Sequence, residues 1–128
     1  MTSFNTALFL VASSMTLISV FFSIASALDE IISSAANEVV VIDYSTTWCG
    51  PCKMVAPKYD ALSENDNYSG VIFLKCIGDA SPEASALMKR EGIRSVPAFH
   101  LWKNGKRLEV INGARIDEVE NAIKAMKN

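Results

Sequence analysis

A chain of 128 residues with a formal net charge of −2 is long enough for one domain and too short for two. Its mild acidity and scattered basic residues give no electrostatic footing for a nucleic-acid partner. Three cysteines are too few for a disulfide-stapled scaffold. The charge is placed unevenly: residues 1–28 contain no Asp, Glu, Lys or Arg, so the chain divides into an apolar leader and an ordinary globular segment.

Within the leader, residues 7–27 form an uncharged run that closes on Ala25-Ser26-Ala27, with the small residues a signal peptidase accepts. Residues 1–27 therefore read as a signal peptide cleaved after Ala27, sending the domain at 28–128 into the secretory lumen or out of the cell. The rival reading is an uncleaved membrane anchor, since about 20 apolar residues suffice to span a bilayer. A wrong start site would leave the domain cytoplasmic.

Residues 28–36 carry apolar side chains at 28, 31, 32 and 35, the spacing of one helix face, with Asp29 and Glu30 near the expected start. The β-branched run Val39-Val40-Val41-Ile42-Asp43-Tyr44 predicts a buried central strand. A helix follows from about Gly50, with Pro51 in its first turn and Pro57 inside it, and the turn formers of residues 65–70 end it. Residues 71–77 predict the next strand. Ser81 is the expected N-cap of a helix over 82–91, with Pro82 at its first position and Gly92 just past its end. Strands over 98–103 and 108–112 flank the hairpin signal Asn104-Gly105, and residues 116–127 predict a closing helix. The order predicts an α/β domain: a mixed sheet, parallel in its first half, with helices on both faces.

The chemistry centres on Trp48-Cys49-Gly50-Pro51-Cys52-Lys53. Disulfide exchange needs a thiolate, a second thiol to resolve the intermediate, and access for a partner disulfide. A cysteine at a helix N-terminus meets free N–H groups and the positive end of the dipole, so Cys49 is the expected nucleophile. Cys52, one turn deeper on the same face, is the expected resolving thiol and the more buried of the two. Asp43 interrupts an apolar strand and has two readings: a proton acceptor beneath Cys52, or a strand-end carboxylate that meets solvent. No metal is expected, because Cys76 and His100 are the only further Cys and His, and a closed zinc site needs four ligands. Cys76 reads as a buried small hydrophobe, and His100 and Trp102 as strand residues without catalytic duty.

These landmarks resemble the thioredoxin family from about Val39 to the end of the chain: the Trp-Cys-Gly-Pro-Cys-Lys stretch, Asp43 six residues before Cys49, Pro57, Gly92-Ile93-Arg94-Ser95-Val96-Pro97, Lys103-Asn104-Gly105-Lys106 and Gly113-Ala114. The resemblance implies a three-layer α/β/α sandwich on a mixed central sheet, here without the family's usual first strand and so with four strands. It implies that Pro97 is a cis-proline facing the cysteines and that Val96 offers its backbone to an extended substrate segment. Trp48, Gly50, Pro51, Val96, Pro97, Gly113 and Ala114 would form the docking rim, and Lys75 would pair with Asp43 as proton acceptor. The Gly-Pro spacer is similar to that of the reducing members, which implies a protein-disulfide reductase. Its partners would be protein disulfides and a reductase or other electron donor, and it would need no cofactor beyond the redox-active Cys49–Cys52 pair. An oxidase or isomerase of an oxidising lumen and a non-catalytic binding module are the competing functions. Membrane contact is expected only if the leader is retained.

Overall fold

The computed structural model of the chain describes residues 24–127. Helix α1 (Ile24–Ser34) leads into strand β1 (Val40–Ser45), helix α2 (Gly50–Glu64), a short 3-10 turn (Asp66–Tyr68), strand β2 (Ile72–Ile77) and helix α3 (Pro82–Arg90). Strands β3 (Ala98–Lys103) and β4 (Lys106–Asn112) and helix α4 (Ile116–Met126) complete it. The sheet order is β2-β1-β3-β4, with β1 parallel to β2 and antiparallel to β3, and β3 antiparallel to β4. Among the described residues the sheet is mixed and four-stranded with helices on both faces, the α/β arrangement that the sequence and its family resemblance predict.

Alternation along the strands builds two cores. Val41, Phe73, Phe99 and Leu101 point to the face covered by α2 and α4. Val40, Ile42, Tyr44, Leu74, Cys76 and Ala98 point to the face covered by α1 and α3. β1 is buried along its whole length, as a β-branched strand between two helical layers must be. The Tyr59 hydroxyl fastens α2 to the sheet, lying 2.7 Å from the Leu74 carbonyl oxygen and 3.1 Å from that of Val41.

Local chemistry sets the other boundaries. The Ser81 hydroxyl accepts the Ala84 N–H at 3.1 Å and caps α3, as expected. Asn104 and Gly105 both take positive φ, 54° and 75°, as the tight β3–β4 turn requires. Gly78, where β2 leaves the sheet, lies against the Met88 thioether, so a Cβ there would require that flexible side chain to move aside.

The first helix departs from expectation. It is already helical at Ile24, four residues before the expected start, so Asp29 and Glu30 do not lie in its first turn. The apolar period that the sequence shows from residue 28 simply continues back through Ile24 and Ala27, and Ala27 and Leu28 are both buried. Asp29 instead meets the Arg90 guanidinium of α3 in a two-point contact at 2.8 and 2.9 Å. Most of the predicted leader lies outside the described residues. Among the described residues, no helix is long and apolar enough to cross a membrane.

Candidate active site

The site is assembled where β1 hands over to α2. The connecting loop is tied down from the other side of the sheet's end: the Thr47 N–H donates to Asp79 Oδ1 at 3.0 Å, and the Thr47 hydroxyl donates to Oδ2. These bonds hold the exposed Asp79 carboxyl below its ordinary range. Sequence reasoning missed this clamp. Its partners lie 32 residues apart, and neither belongs to a motif.

Cys49 is the N-cap of α2. Its backbone is extended, with φ −84° and ψ 113°, while its sulfur accepts the Cys52 N–H at 3.1 Å. Gly50 and Pro51 form the first turn, where proline's missing N–H costs nothing. The sulfur at position 49 is therefore aimed along the positive end of a 15-residue helix, the arrangement that favours a thiolate. Cys49 and Cys52 are joined as a disulfide with their Cα atoms 5.3 Å apart. In this oxidised form both are covered, Cys49 at 4% and Cys52 at 6% exposure, so the expected difference in burial is not present. Bonding brings the two sulfurs together. Cys49 Sγ lies 3.6 Å from the Val96 carbonyl oxygen, a contact without a proton while the disulfide stands.

Around the sulfurs lie the residues that the resemblance assigns to docking. Trp48 is 73% exposed, and Gly50, Pro51 and Ala114 are exposed as well. Val96 and Gly113 are half-buried, and Pro97 is buried. The Val96–Pro97 bond is cis, as expected. The Gly113 N–H donates to the Pro97 carbonyl at 2.8 Å, which joins the two outer loops of this rim.

Asp43 is not a solvent-facing strand end. It is 2% exposed, and its Oδ1 has no hydrogen-bond partner. Sharing the parity of Val41, it lies on the face that α2 covers. Burial is the chief reason its carboxyl is pushed up to about 7; Lys75 pulls it back, and Asp60 adds to the rise. Lys75 stands beside Asp43 in the parallel register of β1 and β2. Its close ion pair, however, is with Asp60 of α2, Nζ to Oδ1 at 3.4 Å, rather than with Asp43. The long lysine side chain reaches past the strand to the helix, where the partly exposed Asp60 keeps both charges near solvent.

Cys76 and His100 are both buried. Burial pushes the Cys76 thiol up to about 12, and its sulfur sits 3.9 Å from the Ala84 carbonyl oxygen. Burial pushes the His100 imidazole down to about 4, with Nδ1 unpartnered and the ring edge-on to Tyr44 at 5.0 Å. Among the described residues, no group of three or more His, Cys, Asp or Glu is placed to hold a metal ion.

The family model for thioredoxin matches residues 19–125. A chloroplastic F-type thioredoxin of Brassica napus is 43% identical over 98 residues, 77% of this chain and 52% of that protein. Horse (Equus caballus) thioredoxin is 37% identical over 101 residues, 79% of this chain and 91% of its own. The chain thus spans about half the length of the chloroplastic relatives it matches. Among solved structures, the short form of spinach chloroplast thioredoxin f superposes with a TM-score of 0.71 at 40% identity, covering 77% of this chain and 85% of its own. Thioredoxin f2 from a complex with ferredoxin:thioredoxin reductase gives 0.72 at 36% identity, covering 81% of this chain and 91% of its own.

Proposed function

The chain belongs to the thioredoxin family, and on that premise we propose that it is a protein-disulfide reductase in which Cys49 attacks and Cys52 resolves. The observation that carries this reading is the sulfur of Cys49 capping α2 and accepting the Cys52 N–H. Reduction of the pair frees a thiolate that the helix end holds in its charged form. That thiolate attacks one sulfur of a target disulfide; the target's S–S bond breaks, a mixed disulfide forms on Cys49, and the first target sulfur leaves as a thiolate that takes a proton from water. Cys52 then gives its proton to the Asp43 carboxylate and attacks Cys49. The Cys49–Cys52 bond forms, the mixed disulfide breaks, and the second target sulfur leaves as a thiolate, which is protonated as Asp43 gives its proton back to the surroundings. Two electrons have passed from the pair to the target.

Asp43 suits this role because a carboxyl near 7 is both a competent base and a group that can release its proton again. Lys75 moderates it through charge rather than through a direct contact. Trp48, Gly50, Pro51, Val96, Pro97, Gly113 and Ala114 form the surface on which an extended target segment docks, with the Val96 backbone next to the attacking sulfur. No cofactor enters any step, and each turnover leaves the pair oxidised, so an external electron donor is required. Thioredoxin f2 has been solved together with ferredoxin:thioredoxin reductase, and a donor of that kind fits the need here.

Residues 1–27 are proposed to be a signal peptide, with the secretory lumen as the address. What supports it is the uncharged run ending in Ala-Ser-Ala. Cleavage after Ala27 would have to precede folding, because α1 runs through that bond and buries both flanking residues. The chloroplastic names of the relatives support a plastid address instead. A fluorescent reporter fused behind residues 1–27 in a plastid-bearing cell separates the two, and plastid fluorescence sinks the secretory address.

The decisive test of the chemistry is Cys52→Ser in the full chain. It should accumulate mixed disulfides with protein targets, linked through Cys49 and released by dithiothreitol. A variant that traps nothing, beside a wild type that reduces nothing, overturns the reductase reading.

A further inference from the structure

Behind the cysteines, three charged side chains from three elements meet on the face of the sheet that α2 covers. Asp43 lies in the middle of β1, 2% exposed, with Oδ1 unpartnered. Lys75 is its register partner on β2. Asp60, two turns beyond Cys52 on α2, takes the Lys75 ammonium at 3.4 Å. The lysine therefore stands between two carboxylates and makes its close contact with the outer one.

We propose that Asp60 is a positioning residue for the resolving step: by holding the Lys75 ammonium at the helix, it keeps that charge from closing on Asp43 and so sets the pH at which Asp43 accepts the Cys52 proton. The inference rests on the reductase reading of the Cys49–Cys52 pair and deepens it. An ammonium in full contact with Asp43 would favour the carboxylate strongly, leaving a base too weak to take a thiol proton. An ammonium removed altogether would leave burial unopposed and the carboxyl protonated through most of the neutral range. Asp60 holds the lysine between these extremes.

Asp43 has few other titratable neighbours. β2 contributes Lys75 and Cys76, and α2 contributes Tyr59, Asp60 and its cysteine end. β3 places Phe99 opposite Asp43, and α4 presents Ile116, Val119 and Ile123 to this core. Cys76 and Tyr59 are both held in their neutral forms by burial, which leaves Lys75 and Asp60 as the charges that act on Asp43.

The test is the pH dependence of mixed-disulfide resolution in the full-length chain, together with the carboxyl titration of Asp43 followed by carbon NMR. Asp60→Asn should move the Asp43 midpoint and the resolution profile to lower pH by about half a unit or more. Asp60→Glu, which keeps the charge, should restore most of the wild-type profile. In a Lys75→Met background, Asp60→Asn should move the midpoint by less than half as much, because the lysine it positions is gone. An unmoved midpoint in Asp60→Asn overturns the proposal, and so does an equal shift in both backgrounds, which would mean that Asp60 acts on Asp43 through its own charge alone and not by positioning Lys75. The NMR titration reads Asp43 whether or not the chain reduces disulfides. Failure of the reductase reading, seen as no trapping by Cys52→Ser, is thus told apart from failure of this one.

Discussion

The two faces of the central sheet bury polar groups at the same depth and to opposite effect. Under α2 lies Asp43, 2% exposed with an orphaned oxygen; under α1 and α3 lie His100, also 2% exposed with an orphaned nitrogen, and the thiol of Cys76. Desolvation is the largest cause in all three, and it always disfavours the charged form. For the carboxyl that means a rise to about 7, into the range where proton transfer is useful. For the imidazole and the thiol it means a fall to about 4 and a rise to about 12, out of that range. Burial alone therefore does not mark a functional group. Which way the group's charge runs decides whether the same physics moves it into or out of the range where proton transfer is useful.

The sharpest way to break this comparison is Asp43→Asn. Because the folded carboxyl binds its proton more tightly than the unfolded one, native stability falls as pH rises from about 4 to about 7 and stays low above that. The asparagine has no charge to bury, so the variant should be more stable at pH 8 by up to about 4 kcal/mol, with little gain at pH 4. Urea unfolding at both pH values checks it. The same variant should resolve mixed disulfides more slowly, since Cys52 loses the proton acceptor proposed for it. An asparagine variant less stable at pH 8, or one that resolves at the wild-type rate, would mean that Asp43 is paired or idle.

Much of this face was legible in the chain. A lone carboxylate in a β-branched run announces a buried charge, and a Cys-Gly-Pro-Cys stretch at a strand-to-helix junction announces a capped sulfur. Strand periodicity placed β1, β2 and β3 to within a residue, because each is buried on at least one regular face. What stayed hidden depends on reach across the fold. Lys75 choosing Asp60 over Asp43 follows from a side chain long enough to bridge β2 and α2, which neither local sequence reveals. Thr47 gripping Asp79 depends on how two loops end beside one another. That residues 24–27 are helical stayed hidden because they are as apolar in composition as the leader before them, and composition cannot tell a buried helix turn from the end of an apolar run.

A second, smaller effect should appear on the opposite face with the reverse sign. The folded His100 resists protonation, so stability is complete above about pH 6.5 and is lost as pH falls towards about 4, where the unfolded chain alone takes the proton. That loss should reach about 2–3 kcal/mol. His100→Gln should flatten the stability profile between pH 6.5 and 4.5 while leaving disulfide exchange at pH 7 unchanged. Thermal melts across that range test it, and a variant that keeps the wild-type slope would move the acid sensitivity to another group.

The smallest effect is the most direct test of whether the two faces are chemically separate. Cys76 abuts Ala84 from within the α1/α3 core, and its register partner Tyr44 shares that face. Replacing it with alanine removes about one methylene's worth of buried surface, so Cys76→Ala should cost about 1 kcal/mol. Neither the rate of exchange nor the reduction potential of the Cys49–Cys52 pair should move, because the sheet lies between that thiol and the face that α2 covers. The native reduced chain should also lose its Cys49 thiol to iodoacetamide at pH 8 well before Cys76, with Cys76 reacting only in urea. Rapid native alkylation of Cys76, or a shifted potential in the alanine variant, would show that the second core communicates with the first and that the sheet is not the barrier its packing implies.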